Sequence, residues 1–302
     1  MPFPKPGWVW YTGVVENEVI LLKRIWSFCL CLALGLLLAG CGGAAAPAEE
    51  PVAEEPAYTG PTVDIGGQTV PVDETLEPSG FTAEDFVTDP ETGRVTCLSR
   101  EAETGIDVSS HQGEIDWAAV AGDGIEFAIL RVGSRGYTQG GLKQDACFEA
   151  NYAGAVENGL DVGVYIFSQA VSAEEAVEEA EFVLSILDGR ELQLPVVFDW
   201  EEITDEAART DGVDGQTVTE CALAFCQRIE EAGYRTAFYC NGMVGYLRYD
   251  IARMQHLDAW YAEYGDWPSF AYAFDLWQYS RTGAVAGING NVDLDLWFPA
   301  GE

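Results

Sequence analysis

From Gly105 to Phe298 the chain repeats one pattern: a short apolar run, then an amphipathic stretch that stops at a glycine or turn. "GIDVSS" (Gly105–Ser110), "EFAILRVG" (Glu126–Gly133), "VGVYIFS" (Val162–Ser168), "LPVVFDWE" (Leu194–Glu201) and "RTAFYCN" (Arg235–Asn241) read as strands. Helical stretches separate them, around Trp117–Val120, over 145–158, from Ser172 to Leu187, and from Thr217 to Gly233. Ser172 with Glu175, and Thr217 with Glu220, have the spacing of capping boxes. "LDAWYAEY" (Leu257–Tyr264), "FDLWQYS" (Phe274–Ser280) and "VDLDLWF" (Val292–Phe298) follow with little helix between them. Strands separated by helices lie parallel in one sheet. About eight of them in about 200 residues predict an α/β fold, a closed barrel whose last helices are reduced.

Such a barrel presents its site at the C-terminal ends of the strands, where Asp199 and Glu201 fall. Residues two apart on a strand point the same way. The two acids therefore share a face with Val197, and Phe198 and Trp200 take the other, facing the helices. Like charges on one face repel and hold a proton more tightly, an arrangement that acid–base chemistry uses. Asp107 on the first strand and Asp293 and Asp295 on the last reach the same rim or lumen, because first and last strands are neighbours in a closed barrel. Alone, each of these acids reads as a cap or a solvated charge; their convergence on one mouth does not.

"GIDVSSHQGEIDW", "VVFDWE", "WQYS" and "GNVDLD" occur in the order and at spacings that resemble glycosyl hydrolase family 25, the Chalaropsis-type muramidases. The resemblance spans roughly Gly105 to Phe298. It implies a modified TIM-like barrel of five β/α units followed by three strands. It also implies hydrolysis of the β-1,4 bond from N-acetylmuramic acid to N-acetylglucosamine in peptidoglycan. By position it implies Glu201 as general acid, Asp199 as its partner carboxylate, and Asp107 and Asp293 as the further site acids. Many members carry Tyr-His-Phe on the third strand; this chain has Tyr165-Ile166-Phe167.

In this scheme Glu201 must be protonated near neutral pH, and repulsion from Asp199 together with desolvation is expected to raise its pKa. Residues i and i+2 stand about 6.5–7 Å apart along a strand, which does not choose between direct attack by a carboxylate and inversion through water. The substrate's own N-acetyl group is a third nucleophile, toward which the resemblance leans, giving net retention. Aromatic residues on predicted strands are candidates for sugar contacts or for core: Tyr165, Tyr239, Trp260, Tyr264, Trp277 and Tyr279. We take Tyr165, Tyr239, Trp260 and Tyr264 as substrate-binding, with Gln278 as a polar contact or a strand-end cap.

The remaining segments are different in kind. Lys23-Arg24 precedes an apolar run from Ile25 to Ala39 and the sequence "LAGC" ending at Cys41. This reads as a secretory signal over 1–40; a transmembrane anchor would want about 20 apolar residues. "LAGC" resembles a bacterial lipobox, which implies a lipid on Cys41 and a location outside the cytoplasm, on the membrane or, without the lipid, secreted. Residues 41–61 are rich in Ala, Pro and Glu and read as a disordered tether. Residues 62–101 carry turn signals and short apolar runs, and read as a small strand-bearing extension before the catalytic barrel of 102–302.

Composition excludes other classes. The net charge is −35 with three lysines, which argues against nucleic acid as a partner. Five cysteines lie beyond Cys41 (Cys97, Cys147, Cys221, Cys226 and Cys240); they match no zinc pattern and read as buried free thiols. Two histidines, His111 and His256, are too few for a His-rich metal site, and His111 reads as structural. No serine-nucleophile elbow or phosphate-binding glycine loop occurs. The expected protein uses no metal or cofactor, acts as a monomer, and has peptidoglycan strands as its partner. The rival reading is a wall-binding lipoprotein that kept the barrel and lost turnover.

Overall fold

The computed structural model describes residues 58–205 and 207–299; the signal, Cys41 and nearly all of the tether lie outside them. The N-terminal extension forms two hairpins. β1 (Thr62–Ile65) pairs antiparallel with β2 (Gln68–Pro71). Gly66 and Gly67 connect them at φ 61° and 84°, the left-handed pair that a two-residue hairpin turn requires. β3 (Phe86–Thr88) pairs with β4 (Val95–Cys97).

The remaining elements are β5 (Glu103–Val108), α1 (Trp117–Gly122), β6 (Phe127–Arg135), β7 (Leu142–Gln144), α2 (Phe148–Glu157), β8 (Asp161–Ser168) and α3 (Ala173–Leu187). Then come β9 (Val196–Trp200), α4 (Gly215–Glu231), β10 (Thr236–Asn241), α5 (Gly242–Leu247), α6 (Ile251–Met254), β11 (Asp258–Ala262), β12 (Leu276–Gly283) and β13 (Val292–Trp297). Strands β5, β6, β8, β9, β10, β11, β12 and β13 close on themselves through the β5–β6 and β13–β5 pairings, while β7 adds a short antiparallel strand to β6. The result is an eight-stranded barrel of five β/α units and three further strands. Seven barrel strands run parallel; β13 runs against both its neighbours.

The alternation of each strand sorts its side chains into two cores. Phe127, Ile129, Val197, Ala237 and Leu276 fill the lumen below the mouth. Ile166, Phe198, Trp200, Phe225 and Trp277 pack outward with the helices. Trp200 is fully buried and donates from Nε1 to the Ala170 carbonyl at 3.1 Å. On α3, Ala176, Ala180, Val183 and Leu187 are buried, the i, i+4, i+7, i+11 stripe of an amphipathic helix.

Three local expectations are corrected. Helix α4 begins three residues earlier than the Thr217–Glu220 box suggests: Asp214 is the N-cap, and it accepts from Thr217 N. At α3, Ser172 does accept from Glu175 N, yet the Glu175 carboxylate turns to Val171 N and Arg209. An arginine within reach outcompetes the reciprocal backbone bond. All five cysteines are free thiols, but only Cys221, Cys226 and Cys240 are buried; Cys97 and Cys147 are half-buried.

The extension shares the outer core of the barrel. Phe81 stacks its ring 4.8 Å from Phe298 and 5.3 Å from Phe274, and Phe86 lies 5.0 Å from Trp277. Val95 is buried in the same cluster.

Candidate active site

The site sits where the strands emerge. β9 ends at Trp200, placing Asp199 on its last inward position and Glu201 one step beyond. β13 enters where the others leave, so its second residue, Asp293, stands at the mouth, directly paired with Asp107 of β5. Asp295 lies two residues deeper, opposite Gly105. It is fully buried and accepts from Trp260 Nε1 at 2.9 Å.

A cavity of about 180 Å³ opens there, lined by Asp107, Tyr165, Phe167, Asp199, Glu201, Tyr239, Trp260, Tyr264, Gln278 and Asp293. All four acids and all five contact residues anticipated from the sequence line it. Trp277 and Tyr279 do not: they pack in the outer core. Tyr264 lies in the loop after β11 rather than on a strand, half exposed at 50%. Gln278 is a bridge and not a strand-end cap: its Nε2 donates to Asp107 Oδ2 at 2.7 Å and its Oε1 accepts from Tyr264 Oη at 3.1 Å. His111 is exposed on the loop after β5, with its main-chain N–H on Ser109 Oγ at 3.2 Å.

Burial governs the protons here. It pushes the carboxyls of Asp107, Asp199 and Asp295 well above the usual range. Asp293 and Asp295 add repulsion at Asp107, and Glu201 adds it at Asp199. Asp293, nearer solvent and eased by Arg281, is raised to about 6. Glu201 is raised by burial, with Asp293 repelling it and a hydrogen bond from Tyr239 opposing. Burial is the leading cause at both acids of the 199–201 pair; the repulsion between them is mutual, and Asp293 adds to it at Glu201. The less solvated member of two like charges is the one that charging costs more.

Four contributors escaped the sequence reading. Phe167 lines the cavity two residues after Tyr165, a signal the strand alternation carried. Arg131 is the β8-facing partner of Tyr165. Its Nε donates to Asp145 Oδ2 at 2.8 Å and its Nη2 to Ser110 Oγ at 3.1 Å, and its charge eases ionisation of Asp199. Gln169, fully buried, donates from Nε2 to the main-chain carbonyl of Glu201 at 2.7 Å. Arg209 in turn donates from Nη1 to the Gln169 carbonyl at 3.1 Å. These last two contacts join residues 32 and 40 apart in the chain, and nothing local announces them.

A buried set of carboxyls with staggered proton affinities, ringed by aromatic side chains in an open-ended cavity, is suited to acid–base work on a polar, ring-shaped ligand. The family model described as "Glycosyl hydrolases family 25" matches residues 106–288. The chain belongs to glycosyl hydrolase family 25. Lysozyme M1 of Streptomyces globisporus is 30% identical over 202 residues, covering 63% of this chain and 65% of that protein. The autolytic lysozyme of Clostridium acetobutylicum is 27% identical over 193 residues, covering 63% of this chain and 54% of that protein. The chain thus spans between half and two thirds of the length of these curated relatives. The crystal structure of a bacterial lysozyme from Streptomyces coelicolor superposes with a TM-score of 0.54 at 25% identity, covering 66% of this chain and 94% of that one.

In this family 25 barrel two details become legible. The family match stops before Asp293, which only the β13–β5 register joins to the other acids. Ile166, standing where many members have histidine, is fully buried in the outer core. The difference therefore faces the helices and leaves the cavity lining untouched.

Proposed function

We propose that the protein is a muramidase, hydrolysing the β-1,4 bond from N-acetylmuramic acid to N-acetylglucosamine in peptidoglycan, with Glu201 as general acid. One observation carries this reading: Glu201, held by its carbonyl and raised by burial, stands with Asp293 at the outer end of a cavity whose deeper wall is Asp199 and Asp107. It is only half-buried, so a sugar oxygen entering from solvent meets its proton first. The similarity to two lysozymes supports the substrate class.

Cleavage proceeds with protonation of the leaving oxygen by Glu201 while positive charge develops at the anomeric carbon. The substrate's N-acetyl oxygen attacks that carbon, giving net retention. The acetamido N–H needs a carboxylate to accept from it. Asp293, nearer solvent and raised only to about 6, is ionised at neutral pH and takes that role, ahead of Asp199, which burial pushes well above the usual range. Water then opens the intermediate, with Glu201 acting as base. Tyr264, half exposed, supplies a flat surface for the sugars, and Gln278 keeps Asp107 in place.

Release of new reducing ends from purified peptidoglycan, with mass spectrometry of the fragments, tests the reading. Products ending in reducing N-acetylmuramic acid are expected. Binding without release, equal in wild type and Glu201→Gln, would instead favour the wall-binding lipoprotein.

For location, we propose that Cys41 carries lipid and that the protein works at the outer face of a membrane. "LAGC" followed by an Ala/Pro/Glu-rich stretch supports it. A flexible tether of about 20 residues spans roughly 25 Å, and stable anchoring needs more than one acyl chain. Fractionation of Cys41→Ala against wild type decides it: wild-type protein free in the medium with an unmodified terminus would end the anchoring idea.

A further inference from the structure

A second cleft opens beside the active-site mouth, and the N-terminal hairpin builds one of its walls. It measures about 690 Å³ and runs between β1 with its turn and the ends of β10 and β11. Ile65, Met243, Tyr246 and Tyr261 give it an apolar floor and sides, and Glu263 gives it charge; among the described residues no basic one lines it. Met243 is 47% exposed, an unbranched apolar side chain left at the surface of an acidic protein.

The cleft continues the active site along two strands. Tyr239 of β10 and Trp260 of β11 line the catalytic cavity, while Asn241 and Ala262, the next inward positions of the same strands, line the cleft. Two residues along a strand are about 6.5–7 Å. Glu263 in the cleft and Tyr264 in the cavity are consecutive. The two openings are therefore neighbours along β10 and β11. The extension also braces the loop that separates them: Thr88 Oγ1 donates to Asp266 Oδ1 at 2.7 Å, and Ser79 N to the Ala271 carbonyl at 3.1 Å. The family match begins only at residue 106, so this wall is added by the chain's own extension.

We propose that this cleft binds the peptide stem of peptidoglycan, seating the free amine of its diamino acid at Glu263. The inference rests on the muramidase reading and deepens it. The stem is attached to the N-acetylmuramic acid whose bond is cleaved, so it must leave the catalytic cavity beside that sugar. A diamino acid ends an aliphatic chain with a cation, the complement of an apolar trough that ends at a carboxylate. Glu263 is already fixed for that role, its carboxylate accepting from Ser269 N at 2.6 Å and Ser269 Oγ at 2.8 Å.

The test uses the purified full chain carrying Glu201→Gln, so that bound ligand is not consumed. The probes are the N-acetylglucosaminyl-N-acetylmuramyl disaccharide bare, with its tripeptide stem ending in a diamino acid, and with that stem's free amine acetylated. Calorimetric titration should show the stem-bearing form binding at least tenfold tighter than the bare one. Acetylation should remove most of that advantage, as should Met243→Lys, which puts a cation into the cleft from an exposed position that the fold tolerates. Equal binding of bare and stem-bearing forms, or an advantage that survives both acetylation and Met243→Lys, would overturn the proposal. If neither disaccharide binds while the free stem peptide does, and Met243→Lys abolishes that binding, the muramidase reading fails and the cleft stands. If the free peptide does not bind either, both fail.

Discussion

Gln169 Nε2 donates to the main-chain carbonyl of Glu201 at 2.7 Å, and Gln169 is itself wholly buried. The proposed general acid lies just past the end of β9, where the ladder no longer holds it, and this side chain from the end of β8 replaces the missing bond. Gln169→Leu keeps the volume and removes the donor. We expect kcat to fall on the order of 10²-fold, the cost of a small misplacement of a catalytic group, with KM little changed. Steady-state kinetics on soluble peptidoglycan fragments, alongside a melting curve, checks this. A raised KM at unchanged kcat would show that the clamp does not position the acid.

Glu201→Gln should lower turnover by about 10²–10⁴-fold or more, the range for loss of general-acid help. Binding of undegraded peptidoglycan should remain, since Tyr264, Trp260 and Gln278 stay in place. An unchanged rate in this variant would mean that the acid is another residue.

The pH–rate profile should be a bell. Asp293 must be ionised and titrates at about 6, so activity rises through that region. Glu201 must be protonated and is raised above its ordinary value by burial and by Asp293, so activity falls on the alkaline side as it ionises. The two limbs belong to the coupled acids as a set. Asp293→Asn should flatten the acid limb while lowering the maximum; an acid limb that survives intact would exclude Asp293 as its source.

Stability should depend on pH in the opposite direction from that of most proteins near neutrality. Asp107, Asp199 and Asp295 have folded values raised by burial, so the folded state binds their protons more tightly than the unfolded chain. That contribution is complete below the ordinary carboxyl range near 4 and is lost as pH rises through the folded values; for Asp293 the window closes at about 6. Asp145 and Glu175, lowered by hydrogen bonds and arginine partners, act oppositely and set the acid limit. Thermal melts should therefore peak on the acid side of neutrality. Asp199→Asn, which removes a buried charge, should raise Tm at pH 8 by roughly 2–4 °C, the shift that about 1 kcal/mol gives a domain of this size. A lower Tm at pH 8 would contradict this account.

Cutting the chain at 101/102 should not release a stable barrel. Phe81, Phe86 and Val95 belong to the barrel's outer core, and their removal uncovers Phe274, Trp277 and Phe298. Phe81→Ala alone should cost about 3–5 kcal/mol, as large-to-small core changes do. Denaturant unfolding of the 58–302 and 102–302 fragments compares them; equal midpoints would show that the extension adds nothing to stability.

The sequence by itself determined the order of strands and helices, with its five β/α units, and the inward row that carries Asp199 and Glu201. Each depends on local periodicity, which a chain states residue by residue. It placed Trp200 outside for the same reason. The tertiary structure alone decided the rest. The reversed direction of β13 brings the start of that strand, not its end, to the mouth and sets Asp293 against Asp107. Ile166 turns out to face the helices, Gln169 and Arg131 reach the site through contacts far apart in the chain, and the extension shares the core. Asp199 is pushed further up than Glu201, because depth in the lumen sets the cost of charge. Closure of the sheet fixes that depth, and no stretch of the chain encodes closure alone.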